Sequence, residues 1–592
     1  MSKKLSSSSS SSGIWLLEEN VLRRTQVIDP CRRNVRALKS ISVCTPVPYA
    51  VSALKNEKNA LEKRTERDGK SGPASMTTVA SSSSSSLSSS VAARWTEAAG
   101  RYRNEYLASV AATLCIFMVV CTNAWTSPAL PKLLTEPNPP ISITADDGSW
   151  IMAIQALGGI PGMLIGGLTV DRYGRKWPFI GSAGPVIAGW ILMATARSTV
   201  LLYVARFLFG VSYGVAYSIA PIYLGEIASA DIRGTVGTFI TAMAKVAFMF
   251  EYSIGPYVSF EALAWISLTG VALFLATFPW MPESPHFLLA TGRYAEALAS
   301  LRWLRRRPDV EDELVAIKKS IDRMADDRRM ATGRAIRDLF VPAYRHHLVL
   351  VLILAFGMQL TGAQAILGYA QTIFGKISTD LTPAEMSIVL GAVQLVTVLF
   401  PILLVDRLGR RPIMLWSTGG CTAGLLLGSV YFTLDAIENV RVGSYGWVSF
   451  VGLVVFVVMY AFGLATVPFA ILSEIFPRNI RASANALYGV LSAILIFGVV
   501  KLFQVAADAV GVYLPFWVFT GCTAITFVLV YLYLPETKGK SLEEVDALIA
   551  GQKQSQSPST MSKAISRWCK HRNIVLDFSS VQPQSKGASA TS

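Results

Sequence analysis

The sequence predicts an all-α membrane protein of about twelve transmembrane helices, arranged as two pseudo-symmetric bundles of six. Hydrophobic residues make up 52% of the 592-residue chain and charged residues only 16%, whereas a soluble globular chain is about a quarter charged. Apolar stretches recur, and most reach the roughly 20 residues that a helix needs to cross a bilayer. A short charged hairpin, Asp171–Lys176, occurs again at Asp406–Arg411. One such hairpin per half indicates an internally repeated membrane carrier.

The N-terminal segment, residues 1–104, is predicted to be a disordered cytosolic tail. Two serine runs, 6–12 and 81–90, flank a basic stretch, and this composition cannot bury enough apolar surface to fold alone. No apolar segment follows the N-terminal lysines, so the pattern is not that of a secretory signal. A regulatory or targeting role for the tail is the alternative.

Twelve apolar stretches follow, and we number them spans 1 to 12. The first six lie at about 107–128, 148–170, 177–196, 199–222, 234–258 and 261–280. The second six lie at about 346–374, 383–405, 412–434, 446–472, 482–507 and 513–534. The predicted domains are therefore a bundle at 105–280, a cytosolic linker with short amphipathic helices at 281–345, a bundle at 346–534 and a cytosolic tail at 535–592.

Loop charges predict the sidedness of the chain. Arginine and lysine are concentrated in alternate loops, beginning with those before span 1 and between spans 2 and 3. Because positively charged short loops stay in the cytoplasm, both termini are expected there. The expected location is the plasma membrane.

Three landmarks recur in the same order, offset by about 235–255 residues. They are the charged hairpin, an acid followed seven residues later by arginine, and a Pro-Glu pair that closes each half. The repeated residues with charge are Asp171, Arg172, Arg175, Glu226, Arg233 and Glu283, and Asp406, Arg407, Arg410, Glu474, Arg481 and Glu536.

These motifs resemble those of the sugar-porter family of the major facilitator superfamily, over about residues 105–545. The most specific are D-R-Y-G-R-K from Asp171, P-E-S-P-H-F-L-L from Pro282, D-R-L-G-R-R from Asp406 and P-E-T-K-G-K-S-L-E-E from Pro535. Within that family, the chain is similar to the insect facilitated trehalose transporters at two places, Thr126-Ser127-Pro128-Ala129-Leu130 and Lys501. The resemblance implies two six-helix bundles around a central cavity that opens to alternate sides.

The resemblance also implies that the twelve repeated charged residues form a gate at the inner ends of the bundles. Arginine can bind a carboxylate with two parallel hydrogen bonds, so clusters of both could latch the bundles together. The alternative is that the cations serve only to set topology.

Candidate sugar-binding groups lie in the middle of spans 5, 7, 8 and 10. Span 7 supplies Gln359, Thr361 and Gln364, with the two glutamines expected on neighbouring helix faces. The resemblance adds Gln394 of span 8, Thr241 of span 5 and Phe469 of span 10, which stands where the family usually has a sugar-stacking tryptophan. A polyol needs amides and hydroxyls of this kind, although helix–helix packing is the alternative role for such residues.

Four further ionisable residues are predicted within the membrane: Arg206, Lys245, Glu251 and Lys501. Thr122 and Asn123 occupy the region where proton-driven relatives carry an aspartate, so the resemblance implies uniport. Lys245 and Glu251 could instead couple transport to an ion, or simply pair with each other or with neighbours.

The predicted function is facilitated transport of a small neutral sugar, either a hexose or a trehalose-like disaccharide. Alternatives are a non-transporting sugar sensor and a proton-coupled carrier of sugar or another polar solute. No enzyme motif, cofactor site, metal-ligand cluster or nucleic-acid-binding surface is predicted. The protein is expected to be a monomer in the lipid bilayer.

Overall fold

The computed structural model describes residues 102–137, 139–330, 341, 344–398, 408–437, 445–476, 478–538, 540 and 544. Helices and their connections account for the described residues, and no strand is found among them. The predicted tail at 1–104 lies outside the described residues except for 102–104. Most of the tail predicted at 535–592 lies outside them as well.

The first half of the chain forms six helical spans. Their helices are Arg103–Ala124 with Thr126–Thr135, Ala145–Tyr173, Lys176–Gly181 with Ala183–Ala194, Thr199–Ile227, Arg233–Ile254 and Phe260–Thr277. Short 3-10 turns, Gly255–Tyr257 and Phe278–Trp280, follow spans 5 and 6.

The second half forms six spans as well. Their helices are Arg345–Gln359 with Ala363–Gly368 and Ala370–Phe374, Pro383–Thr397, Arg410–Ala436, Gly446–Met459 with Val467–Ile475, Arg478–Ala509 and Tyr513–Tyr533. A single π-helical turn, Tyr460–Leu464, interrupts span 10.

Ten of these spans are long and apolar enough to cross a membrane. The other two are span 5, which carries Lys245 and Glu251, and span 8, whose described helix has 15 residues. Both lie where the sequence predicts them. The all-helical, twelve-span prediction is therefore confirmed.

Side-chain caps explain where several helices begin. In span 2, Thr144 accepts a hydrogen bond from the backbone N–H of Asp147, and the Asp147 carboxylate accepts one from the N–H of Thr144. Thr382 and Glu385 form the same reciprocal pair at the start of span 8. Such capping boxes satisfy backbone donors that the first helical turn leaves free.

Buried apolar side chains form one continuous core through both halves. A second, smaller core lies in the linker, whose helices are Pro285–Ala290, Tyr294–Arg305 and Glu311–Met330. The linker is anchored to the first half by a buried ion pair, in which Arg305 lies 3.0 Å from Glu105 at the start of span 1. Glu105 also accepts hydrogen bonds from the backbone and hydroxyl of Ser229. Because these groups neutralise each other, the pair can lie in a dry contact.

Candidate functional site

We call the end of the bundles that carries the charged hairpins and the linker the motif end, and the opposite end the far end. At the motif end of the first half, Arg175 binds Glu226 with two parallel hydrogen bonds of 2.8 and 2.7 Å. Both side chains are largely shielded, at 13% and 17% exposure. The Ser284 hydroxyl donates a further hydrogen bond to Glu226. Spans 2 to 4 and the start of the linker are thereby tied together.

The hairpin has a glycine at position 174 because the Glu283 carboxylate lies directly against it. Its carboxylate accepts hydrogen bonds from the backbone N–H groups of Arg175 and Lys176, at 3.1 and 3.0 Å. Gly174 makes this turn with a φ of +89°, and a Cβ there would lie 2.3 Å from Glu283 Oε2. A side chain is therefore excluded both by the backbone conformation and by the approach of the carboxylate.

The second half repeats this arrangement residue for residue. Arg410 lies 2.8 Å from Glu474, and Thr537 takes the place of Ser284 by donating to the same carboxylate. Glu536 accepts hydrogen bonds from the backbone N–H groups of Arg410 and Arg411 at 3.0 and 3.1 Å. Gly409 has a φ of +92°. The sequence repeat is thus a structural repeat, and each arginine–glutamate pair lies within its own half.

The other predicted gate residues are less enclosed. Asp171, Arg172 and Arg233 are exposed, and none forms an ion pair with another described side chain. Asp406, Arg407 and the side chain of Arg481 lie outside the described residues. Close by, burial lowers the pKa of the His286 imidazole below its ordinary value, so this linker residue adds no charge beside Arg175 near neutral pH.

Among the described residues, polar contacts join the two halves at the far end and in the middle. Lys501 of span 11 lies 2.5 Å from Asp146 and 2.6 Å from the Ser149 hydroxyl, both at the start of span 2. Its ammonium also lies 4.5 Å from the centre of the Trp150 ring. Among the described residues, Lys501 is therefore the cation whose ion pair joins the two halves.

Two more hydrogen bonds cross at the far end. The Tyr252 hydroxyl of span 5 donates to the carbonyl of Leu367 at 2.6 Å, and the backbone N–H of Gln371 donates to the Ser127 hydroxyl at 3.2 Å. The far end is therefore closed by contacts that spans 1, 2 and 5 of the first half make with spans 7 and 11 of the second half.

Span 7 is broken at the candidate sugar site. The first helix ends at Gln359 and the next begins at Ala363, with Gly362 between them at a φ of +74°. A Cβ on Gly362 would lie 2.2 Å from the Phe519 ring. The expectation that a spacing of five along one helix puts Gln359 and Gln364 on neighbouring faces is therefore wrong, because Gly362 interrupts the helix between them.

The break leaves polar groups buried within the span. Gln359 is buried, and its Oε1 has no hydrogen-bond partner among the described residues. Thr361 is fully buried and donates to the carbonyl of Met358 at 2.9 Å. Gln364 is half-buried. Buried amide oxygens are normally satisfied, so an unpaired one in a membrane span is a candidate ligand contact.

Gln394 and Lys245 meet where span 8 packs against span 5. The Lys245 ammonium donates to Gln394 Oε1 at 2.9 Å, and Gln394 Nε2 has no partner among the described residues. Thr241 lies one helical turn before Lys245 and donates to the carbonyl of Thr238. Phe469 is 55% exposed and packs edge-on against Tyr488, with ring centres 5.5 Å apart.

The remaining intramembrane charges have neutral partners. Glu251 is fully buried and accepts a hydrogen bond of 2.7 Å from Ser267; it forms no ion pair with Lys245. Arg206 is buried and donates to the backbone carbonyls of Ile151, at 2.7 Å, and Thr122. No carboxylate faces Arg206 in the described structure, which agrees with the presence of Thr122 and Asn123, rather than an acid, in the facing part of span 1.

Several contributing residues are not evident from the sequence. Ser284 and Thr537 are ordinary residues whose position after a Pro-Glu pair is the only signal that they reach a glutamate. Gln155 donates to the Thr122 hydroxyl at 3.0 Å and has an unpaired Oε1. An amide in an otherwise apolar span could have marked Gln155 as a further candidate.

Comparison with known proteins identifies relatives of this chain. The model of the family "Sugar (and other) transporter" matches residues 106–549. The chain is 30% identical to the "Facilitated trehalose transporter Tret1" of Culex quinquefasciatus, over 78% of this chain and 89% of the relative. It is 31% identical to the protein of that name in Polypedilum vanderplanki, over 78% and 91%. The match to the Aedes aegypti protein, at 30% identity, spans 57% of that relative's length.

Solved structures of the major facilitator superfamily share the fold. The proton:xylose symporter XylE bound to 6-bromo-6-deoxy-D-glucose superposes with a TM-score of 0.61 at 21% identity, over 76% of this chain and 99% of that one. An inward open conformation of XylE from E. coli has the same TM-score at 20% identity. At these identities the likeness concerns the fold alone.

Proposed function

Because this chain belongs to the sugar (and other) transporter family, we propose that it carries a sugar across a membrane by facilitated diffusion. The observation that supports this most directly is the pair of buried glutamines with unpaired amide atoms, Gln359 and Gln394. Each lies well inside a span, where water cannot easily satisfy it. Hydroxyl groups of a sugar both donate and accept, so one ligand can satisfy both amides.

The proposed mechanism is alternating access. The far end is closed by Lys501, Tyr252 and Gln371, while the arginine–glutamate pairs of the motif end each stay within one half. This distribution is what a carrier opened toward the motif end would have. Closing that end requires the two charged clusters to approach each other, which is the gating role we propose for the twelve repeated residues.

We place the motif end in the cytoplasm, with both termini on that side of the plasma membrane. The basis is the arginine and lysine content of the motif-end loops. The linker and the long terminal segments would then lie in the cytosol.

Uniport is favoured over proton coupling. Arg206, the buried cation of span 4, is satisfied by two backbone carbonyls and has no acid partner in the described structure. The competing observation is Glu251, which is fully buried with one carboxylate oxygen unpaired in the described structure. A buried acid of this kind could carry a proton. Glu251 packs against Ser267 of span 6, inside the first half, rather than against the second half.

The test is uptake of radiolabelled trehalose and glucose into oocytes that express the full chain, with surface expression measured in parallel. We expect saturable uptake that a protonophore leaves unchanged. Uptake abolished by the protonophore and by Glu251→Gln would establish the proton-coupled alternative. A protein that reaches the surface but moves neither sugar would contradict the transport proposal and favour a sugar sensor.

A further inference from the structure

We infer that the sugar site accepts a solute that carries one carboxylate, a sugar acid of hexose size, in preference to its neutral counterpart, and that Lys245 and Gln394 bind the carboxylate. This rests on the proposed transport function and narrows its substrate class. A neutral sugar is expected from the sequence alone, because the sequence does not show where Lys245 lies in the folded chain.

Lys245 lies close to the middle of the membrane. It is twelve residues into the helix that begins at Arg233, so it lies about 18 Å along that helix. Span 8 begins with Pro383 at the far end of the bundle, and Gln394 follows eleven residues later. It therefore lies about 16 Å along that helix. The hydrocarbon core is about 30 Å thick. The contact between these side chains therefore lies at the depth where a carrier binds its substrate.

The charge of Lys245 has no counter-ion in the described structure. Glu251, the other charged residue of the same helix beyond its first turn, lies about 9 Å further along it and faces Ser267 in the first half. Glu385, the acid of the described part of span 8, is bound by Thr382 at the helix start. A cation at this depth is costly unless a partner neutralises it. The neutral amide oxygen of Gln394 and the Phe248 ring, whose centre lies 5.6 Å from the ammonium, offset this cost only in part. An anion would complete the site.

The geometry offers a carboxylate two donors. An ammonium has no acceptor, so Gln394 must turn its oxygen toward Lys245 and its NH₂ group away. That NH₂ is the group with no partner among the described residues, although Gln394 is fully buried. Lys245 retains further N–H donors after its 2.9 Å bond to Gln394. The two nitrogens are then at most about 5 Å apart, a spacing that the two oxygens of a carboxylate can bridge.

The surroundings suit the rest of a sugar acid. Thr241 lies four residues before Lys245 and so shares its face of the helix, where its hydroxyl can contact a ring hydroxyl. Because Lys245 belongs to the first half and Gln394 to the second, a bound carboxylate would touch both halves. A ligand that bridges the halves can bias their relative position, as alternating access requires.

The experiment compares D-glucuronate with D-glucose and trehalose, using oocytes that express the full chain. Glucuronate and glucose differ at a single carbon, which carries a carboxylate in one and CH₂OH in the other. We expect glucuronate to be transported, and to inhibit uptake of any transported neutral sugar at a concentration at least tenfold below that sugar's own half-saturation. Because a carried anion moves charge, glucuronate should also produce a current under voltage clamp, whereas glucose and trehalose should not.

Three variants identify the residue responsible. Lys245→Gln should abolish the glucuronate current and raise its inhibitory concentration at least tenfold, while Lys245→Arg, which keeps the charge, should retain both. Lys132→Gln is the matched control, because this far-end lysine donates to the carbonyl of Gly255 within the first half. It should behave as the wild type. Surface expression of each variant is measured by biotinylation.

Two results would overturn the inference and leave the transport function standing. In the first, a neutral sugar is transported but glucuronate neither moves nor inhibits; the proposed function would stand and the substrate class would be wrong. In the second, glucuronate is transported equally well by Lys245→Gln. If none of the three solutes moves in a protein that reaches the surface, the proposed function fails, and the inference fails with it.

Discussion

Removal of Lys501 should open the far end of the carrier. Its ammonium lies 2.5 Å from Asp146, but the Asp146 side chain is 65% exposed, against 17% for Lys501. An exposed ion pair contributes about 0.2–1 kcal/mol, and the contact with the Trp150 ring about 0.5–1 kcal/mol more. Lys501→Met should therefore weaken far-end closure by about 1–2 kcal/mol, which shifts the equilibrium between closed and open about 5- to 30-fold.

The assay for this prediction measures access to Met152. This residue is buried at the far end, 7% exposed, where its methyl group packs against Gly368 of the second half. A cysteine introduced at Met152, with Cys522 replaced by serine, reports opening through its rate of reaction with a membrane-impermeant maleimide. Lys501→Met should raise that rate about 5- to 30-fold.

Lys132→Met is the control, since it removes a far-end lysine whose contacts lie within one half. An unchanged rate in Lys501→Met, or an equal increase in Lys132→Met, would refute the assignment of Lys501 as a contact that holds the halves together.

The remaining predictions concern the motif end, the break in span 7 and the sugar site. Glu226→Gln combined with Glu474→Gln removes the carboxylate from both motif-end arginines, a loss of about 1 kcal/mol in each network; the maximal uptake rate should change several-fold, and an unchanged rate would contradict the gate. Gly362→Ala forces a Cβ into the Phe519 ring at a positive φ and should destabilise the protein by about 1–3 kcal/mol in thermal unfolding, whereas Gly498→Ala, with open space around it, should not. Gln359→Leu should raise the KM for sugar about tenfold without lowering thermal stability, because its buried oxygen has no partner to lose; a loss of stability with unchanged KM would make it a packing residue.

The features that the sequence predicted well are those set by local pattern. Apolar length predicts a membrane span whatever surrounds it, and the repeated hairpin predicts the turn at Gly174 and Gly409. The repeat also groups the arginines and glutamates of each half, but it does not indicate which arginine binds which glutamate. Likeness to the major facilitator fold confirms the architecture that these patterns imply.

Other features depend on contacts between distant residues and were not predictable. The break in span 7 depends on the positive φ of Gly362, against which the Phe519 ring of span 12 packs. Neither feature is evident from the sequence around Gly362. Lys501 meets Asp146 across 355 residues of chain, and no local pattern links them. Lys245 and Glu251, six residues apart on one helix, look like partners in the sequence. Their helix instead turns them to opposite neighbours, Gln394 and Ser267.

If one sugar site is exposed alternately to the two sides of the membrane, the protein must show counterflow. Proteoliposomes containing the purified full-length protein are loaded with unlabelled trehalose or glucose and diluted into a trace of the same labelled sugar. A carrier should accumulate the label transiently above its equilibrium level, because each outward passage of unlabelled sugar returns the site to the outside. A label that only equilibrates, or does not enter at all, would contradict alternating access through a single site.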